Sequence, residues 1–161
     1  MAVLDISRLE SGEPALSADP IRMSEPSPVP QPPVTAGTTH TLLYIEDQDL
    51  NLRLVERILQ PHAGYRLLTA MLGHLGLQLA REHLPDLILL DLNLPDISGD
   101  EVLRQLRDDP ATRDIPVIMV SADAMGERIQ ALLRQGATGY LTKPYKVAEL
   151  LRVIGETLAV R

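Results

Sequence analysis

Cysteine is absent from the 161-residue chain, which excludes a disulfide framework, a thiolate metal site and a thiol nucleophile. Phenylalanine and tryptophan are absent as well, so the core must be built from Leu, Ile, Val and Ala, with Met as filler. Positive charge is scarce. A net charge of −7 excludes a non-specific nucleic-acid binder, because a phosphate backbone demands clustered Lys and Arg. No apolar stretch approaches the length needed to span a bilayer, and no basic region followed by an apolar signal core opens the chain. Membrane partners are therefore not expected, and a cytoplasmic location is. What is present is 45% apolar side chains, enough for one core and one domain of about 100–150 residues.

Residues 1–13 space Val3, Leu4, Ile6 and Leu9 like one face of a short helix that Gly12 would end, a piece too short to be stable alone. From Pro14 to Pro33 seven of twenty residues are proline, which predicts an extended linker over 14–38. A folded unit is expected over 39–161. Within it short apolar runs alternate with helical periodicities. Strands are predicted at Thr41 to Ile45, Tyr65 to Ala70, Asp86 to Leu90, Pro116 to Val120 and Thr138 to Leu141. The helices between and after them would bury Leu50, Leu54, Val55, Ile58 and Leu59, then Leu75, Leu79 and Ala80, then Val102, Leu103 and Leu106. The last two would bury Met125, Ile129, Leu132 and Leu133, then Leu150, Leu151, Ile154 and Leu158. Five βα units with right-handed crossovers give an α/β three-layer sandwich, and the compact arrangement is the flavodoxin-like parallel order 2-1-3-4-5.

In a parallel sheet every strand ends on the same edge. That edge would collect Glu46 and Asp47, then Asp91, Ser121 and Lys143. Strands 1 and 3 are neighbours, about 5 Å apart, so three carboxylates crowd one point. Such crowding is costly unless a cation neutralises it, and oxygen donors without His or Cys suit Mg²⁺. An acidic pair after a strand can be no more than a solvated helix start. The coincidence with Asp91, Ser121 and Lys143 points instead to phosphoryl transfer onto a carboxylate. Asp91 would be the nucleophile, with Mg²⁺ held by Glu46, Asp47 and Asp91. Lys143, across a gap of roughly 10 Å that its long side chain can largely bridge, would add positive charge, and the Ser121 hydroxyl a hydrogen bond.

Over about residues 40–160 the chain resembles the receiver domain of two-component response regulators. The resemblance rests on Ile45-Glu46-Asp47, Leu90-Asp91-Leu92-Asn93-Leu94-Pro95 with Gly99 eight residues after Asp91, Val120-Ser121-Ala122, and Tyr140-Leu141-Thr142-Lys143-Pro144. It implies that Asp91 accepts phosphoryl from a phosphohistidine on a histidine kinase or histidine phosphotransferase, and that the backbone carbonyl of Asn93 joins the Mg²⁺ shell. It further implies that Ser121 shifts toward the phosphoryl group, that Tyr140 turns inward behind it, and that the Lys143–Pro144 bond is cis. The switched surface would be the fourth helix, fifth strand and fifth helix. Ser121 stands where Thr is commoner, and Gly76 where a small Ala is usual, at a helix cost of about 1 kcal/mol. Asn93 and Asp123 occupy positions that tune phosphoryl loss, for which a lifetime of minutes or less is expected.

Leu4-Asp5-Ile6-Ser7-Arg8-Leu9-Glu10-Ser11-Gly12 is similar to the end of the second dimerisation helix of histidine kinases, so a receiver fragment of a hybrid kinase, acting as a phosphate sink, stays open as an alternative. An Asp-nucleophile phosphatase would want an acid two residues after the nucleophile, where Asn93 stands. A flavin or nucleotide binder would want a Gly-rich loop after the first strand, and none is there. A receiver that binds partners without phosphorylation is the third rival. His40, His62, His74 and His83 share no ligand spacing or capping partner and read as surface residues; Asp96, Asp108, Asp109 and Asp114 read as loop and cap residues. The sequence ends after the fifth helix, so the expected output is a contact with an unknown downstream protein, by a monomer or a dimer formed on phosphorylation.

Overall fold

A computed structural model describes residues 39–123 and 125–159. The expectations for residues 1–13 and 14–38 lie outside the described residues. Five strands, β1 (His40–Ile45), β2 (Tyr65–Ala70), β3 (Leu87–Asp91), β4 (Val117–Ser121) and β5 (Gly139–Thr142), form one parallel sheet in the order β2-β1-β3-β4-β5. The helices are α1 (Asp49–Leu59), α2 (Gly73–His83), α3 (Gly99–Asp108), α4 (Gly126–Arg134) and α5 (Val147–Ala159). This is the flavodoxin-like (βα)5 sandwich that the alternation implied.

Strands buried on both faces need apolar residues at successive positions, and β3 and β4 are buried throughout. Alternation sorts them. Leu43, Ile45, Ile88, Leu90, Val117 and Met119 meet Leu77, Ala80, Val102, Leu103, Leu106 and Leu132 from α2, α3 and α4. Leu42, Tyr44, Leu87, Leu89, Ile118, Val120 and Leu141 meet Leu52, Val55, Leu59, Leu150 and Ile154 from α1 and α5. Asp91 and Ser121 are the last residues of their strands rather than the first beyond them. Asp91 pairs with Val120, and Ser121 with Thr142, so the sheet ladder itself fixes their backbones.

Three helices bury only part of the face that periodicity suggested: Val55 and Leu59 in α1, Ala80 in α2 and Leu132 in α4 are buried as expected, and the rest of each set is not. In α1 the buried stripe is Leu52, Val55 and Leu59, while Leu50 is 80% exposed and Leu54 46%. A Leu-rich helix offers two stripes, and the sheet takes the one whose three members recur at intervals of three and four. In α2, Gly73, Gly76, Leu77 and Ala80 are buried and Leu75 is exposed, because small residues let the helix approach the sheet closely. A Cβ at Gly76 would lie 2.4 Å from Ile45 Cδ1, so glycine there is a packing requirement and not only a helix cost. In α4 only Leu132 is buried; Met125, in the N-cap position, and Leu133 are exposed.

Candidate phosphoacceptor site

Glu46 follows β1 directly. It is fully buried, and Tyr44, two residues back, donates its hydroxyl to Glu46 Oε1 at 3.0 Å. Asn51 Nδ2 donates to the same oxygen at 3.2 Å, the Gln48 N–H to Oε2 at 3.2 Å, and Lys143 Nζ to Oε1 at 2.6 Å. Burial alone pushes the Glu46 carboxyl up, and the Lys143 ammonium with the Gln48 and Tyr44 donors more than reverses it, so this group is held below the usual range. Burial above all, with the neighbouring Tyr145 phenol and the Glu46 carboxylate adding to it, pushes the Tyr44 phenol well up, so it stays a hydrogen-bond donor.

Asp91, 4% exposed at the end of β3, meets the opposite outcome. Burial first and the Glu46 charge second push its carboxyl up to about 6, against the pull of Lys143. Lys143 Nζ stands 3.7 Å from Asp91 Oδ1. Burial disfavours the ammonium, but the Glu46 and Asp91 carboxylates raise its pKa, so it remains a cation. The two adjacent carboxylates are thus driven apart, Glu46 ionising the more readily and Asp91 the less. Asp47 is half-buried, and single oxygens of Glu46, Asp47 and Asp91 lie within 4.8 Å of one another. That all-oxygen donor set fits a hard divalent cation.

The loops hold these groups in place. Gly99 at the start of α3 donates its N–H to the Leu92 carbonyl at 2.8 Å. A Cβ on Gly99 would stand 2.5 Å from the Asp91 carbonyl oxygen and 2.7 Å from Leu92 Cα, so the backbone behind Asp91 admits only glycine without shifting. Ser98 caps α3, its hydroxyl accepting from the Glu101 N–H at 3.3 Å. Buried Ser121 accepts from the Asp123 N–H at 3.1 Å. The Tyr140 hydroxyl donates to the Asp123 carbonyl, and its half-buried ring already packs against the α2–α3–α4 side of the core. The Lys143–Pro144 peptide is cis.

The fold thus brings Glu46, Asp47, Asp91, Ser121 and Lys143 to one sheet edge, with Asn93 exposed on the following loop and Tyr140 on β5. Tyr44 and Asn51 were not singled out in the sequence. Strand alternation could have found Tyr44, which shares the face of Glu46. His74 does have a capping partner: its backbone N–H and ring both meet Asp96. Asp96 is a cap residue, but for α2 rather than for its own loop.

A parallel sheet with an enclosed carboxylate, a facing lysine and an acidic rim defines a class, and the chain belongs to it: the response regulator receiver domain family, whose model matches residues 42–155. The chain takes part in two-component signalling by this membership. It is 39% identical over 116 residues to the polar-differentiation response regulator DivK of Brucella ovis, covering 72% of this chain and 94% of DivK. The receiver domain of sensor histidine kinase PA1611 from Pseudomonas aeruginosa, solved with a magnesium ion coordinated in its active-site cleft, aligns at 30% identity and a TM-score of 0.69, covering 75% and 98% of the two chains. Chemotaxis response regulator CheY4 of Vibrio cholerae aligns at 29% identity and a TM-score of 0.70, covering 74% and 99%. Among the described residues no helix is long and apolar enough to cross a membrane.

Proposed function

We propose that this chain is a phosphoacceptor receiver in which Asp91 takes a phosphoryl group from a phosphohistidine on a histidine kinase or histidine phosphotransferase. The observation that carries this reading is a buried carboxylate at 3.7 Å from a lysine on another strand, beside two more carboxylates. An Asp91 oxygen attacks phosphorus, the phosphorus–nitrogen bond of the donor breaks, and the imidazole nitrogen keeps the electron pair and takes a proton from water. Lys143 neutralises a phosphoryl oxygen. Ser121 leaves the Asp123 N–H and donates its hydroxyl to another. Mg²⁺ fits the donor set and would be held by Glu46, Asp47, Asp91 and the Asn93 carbonyl, supplying charge neutralisation for donor and acceptor alike. The residues' own task is to orient and to hold charge.

Leu50 and Leu54 form an exposed apolar stripe on α1, which begins just past the acidic pair, and suit a phosphodonor helix. Met125, just before α4, and Leu133 on its outer side give an output partner a surface that Ser121 and Tyr140 bias through Asp123. The exposed amide of Asn93, where a hydrolase would place its acid, disfavours a phosphatase. Incubation with Mg²⁺ and acetyl phosphate tests the reading by intact mass. A gain of about 80 Da is expected in the wild type and not in Asp91→Asn, with a lifetime of minutes or less. Equal gain in both proteins overturns it.

A further inference from the structure

The start of α2 has no cap of its own, and the loop carrying Asp91 supplies one. Leu72 occupies the N-cap position and makes no side-chain cap hydrogen bond. Asp96 takes that part from a loop 23 residues downstream: its Oδ1 accepts from the Gly73 N–H at 2.8 Å and its Oδ2 from the His74 N–H at 2.9 Å. His74 Nδ1 also lies 2.9 Å from Oδ2. Desolvation works the other way, yet the His74 and Gly73 N–H groups hold the Asp96 carboxyl well below the usual carboxylate range. The neighbouring residue locks the same junction. A Cβ at Gly73 would stand 2.6 Å from Ile97 Cγ1, so Ile97 fills the gap that glycine leaves. The far end of the segment is closed by the bond from the Gly99 N–H to the Leu92 carbonyl, 2.8 Å.

The segment from Leu92 to Ser98 is therefore fixed at both ends and near its middle, and Asn93 sits on it. Resting on the phosphoacceptor reading, we propose that Asp96 is a positioning residue for phosphoryl transfer: its clamp on α2 holds this segment so that the Asn93 carbonyl and the Asp91 carboxylate can share one divalent cation. A helix cap alone would be served as well by an acidic residue at position 72. Capping from the loop instead makes the start of α2 a fixed support for the segment.

This distinction supplies the test. Wild type, Asp96→Asn, Asp96→Ala and the double variant Leu72→Asp/Asp96→Ala are compared for Tm and for the Mg²⁺ concentration that half-saturates phosphorylation by acetyl phosphate. In Asp96→Ala the half-saturating Mg²⁺ rises roughly tenfold, the scale of outer-sphere losses in metal sites, and Tm falls. The double variant regains Tm by a local cap and keeps the weakened Mg²⁺ dependence. Asp96→Asn, with one carbonyl acceptor left, falls between. Recovery of both quantities in the double variant, or a Mg²⁺ dependence in Asp96→Ala within twofold of wild type, overturns the proposal. Wild type that gains no Asp91-dependent phosphoryl group refutes the phosphoacceptor reading instead. The Mg²⁺-dependent rise in Tm across the same four proteins then decides what Asp96 does.

Discussion

Replacing Asp91 by Asn should stabilise the metal-free protein while removing phosphorylation. The enclosed carboxyl rises from 3.8 to about 6, chiefly through burial and the Glu46 charge beside it. The folded state therefore holds more protons than the unfolded chain between these values, and stability falls as pH rises through that window. At pH 7.5 the ionised group costs about 3 kcal/mol, and at pH 4.5 about 1 kcal/mol. Asn carries no charge and sheds this cost. Glu46 works in the opposite sense: its carboxyl lies below the usual value, so its contribution is present above that value and lost on acidification. The substitution leaves its partners Lys143, Tyr44 and Asn51 in place.

For a domain of this size a gain of 2–3 kcal/mol raises Tm by roughly 5–10 °C. Thermal unfolding followed by circular dichroism, at pH 7.5 and pH 4.5 with EDTA, reads it. The variant should melt higher at pH 7.5, with the gap shrinking to about a third at pH 4.5. Adding Mg²⁺ at ten times its dissociation constant stabilises the wild type by about 1.4 kcal/mol and narrows the gap, since the variant has lost a charged ligand. Equal Tm values in EDTA at pH 7.5, or a gap indifferent to pH, would refute the account of Asp91 as a strained, ionised acceptor.

Lys143→Met should destabilise the protein by about 3 kcal/mol, because Glu46 keeps its buried charge without its cation, and phosphorylation by acetyl phosphate should fall at least a hundredfold. Denaturant unfolding and intact mass read the two effects. Gly99→Ala should cost about 1–3 kcal/mol and slow phosphorylation together, since the added Cβ strikes the Asp91 carbonyl; unchanged kinetics would free the Asp91 backbone from that role. Arg107 bridges the Gly136, Arg113 and Ile115 carbonyls at 2.8–2.9 Å, at the end of the sheet remote from Asp91. Arg107→Met should therefore lower stability by about 2–3 kcal/mol in denaturant and leave the half-saturating Mg²⁺ unchanged.

The sheet was legible because β3 and β4 are apolar up to their last residues and the helices between the strands are short, which leaves one economical parallel order. Helix rotation was legible only in part. In α1, Val55 and Leu59 are buried as their spacing suggests, but the choice of Leu52 over Leu50 and Leu54 beside them is made by the sheet, since six apolar residues in one helix fit more than one face. In α2 half of the buried stripe is Gly73 and Gly76, which carry no hydrophobic signal; the bulk of Ile97 and Ile45 opposite explains them.

The site divides along the same line. Residues that end strands could be placed from topology alone, because a parallel sheet sends Glu46, Asp91, Ser121 and Lys143 to one edge whatever the helices do. Residues that tune them come from contacts the periodicity does not encode. Asn51 reaches Glu46 from the first turn of α1, and Asp96 reaches α2 from a loop on another strand. The Ser98 cap was readable from its Ser-x-x-Glu spacing and would have moved the start of α3 back to Gly99. The missing cap at Leu72 was readable as well. An uncapped helix start buried against a loop must find acceptors somewhere, and an acidic residue in the neighbouring loop is where to look. Applied to α4, whose N-cap residue Met125 likewise makes no side-chain cap hydrogen bond, the same reasoning finds Asp123 accepting from the Met125 N–H at 3.0 Å. Asp123 also holds Ser121 and Tyr140 through its own backbone. A movement of Ser121 therefore reaches the start of α4 through one residue, which is where a switched surface would have to begin.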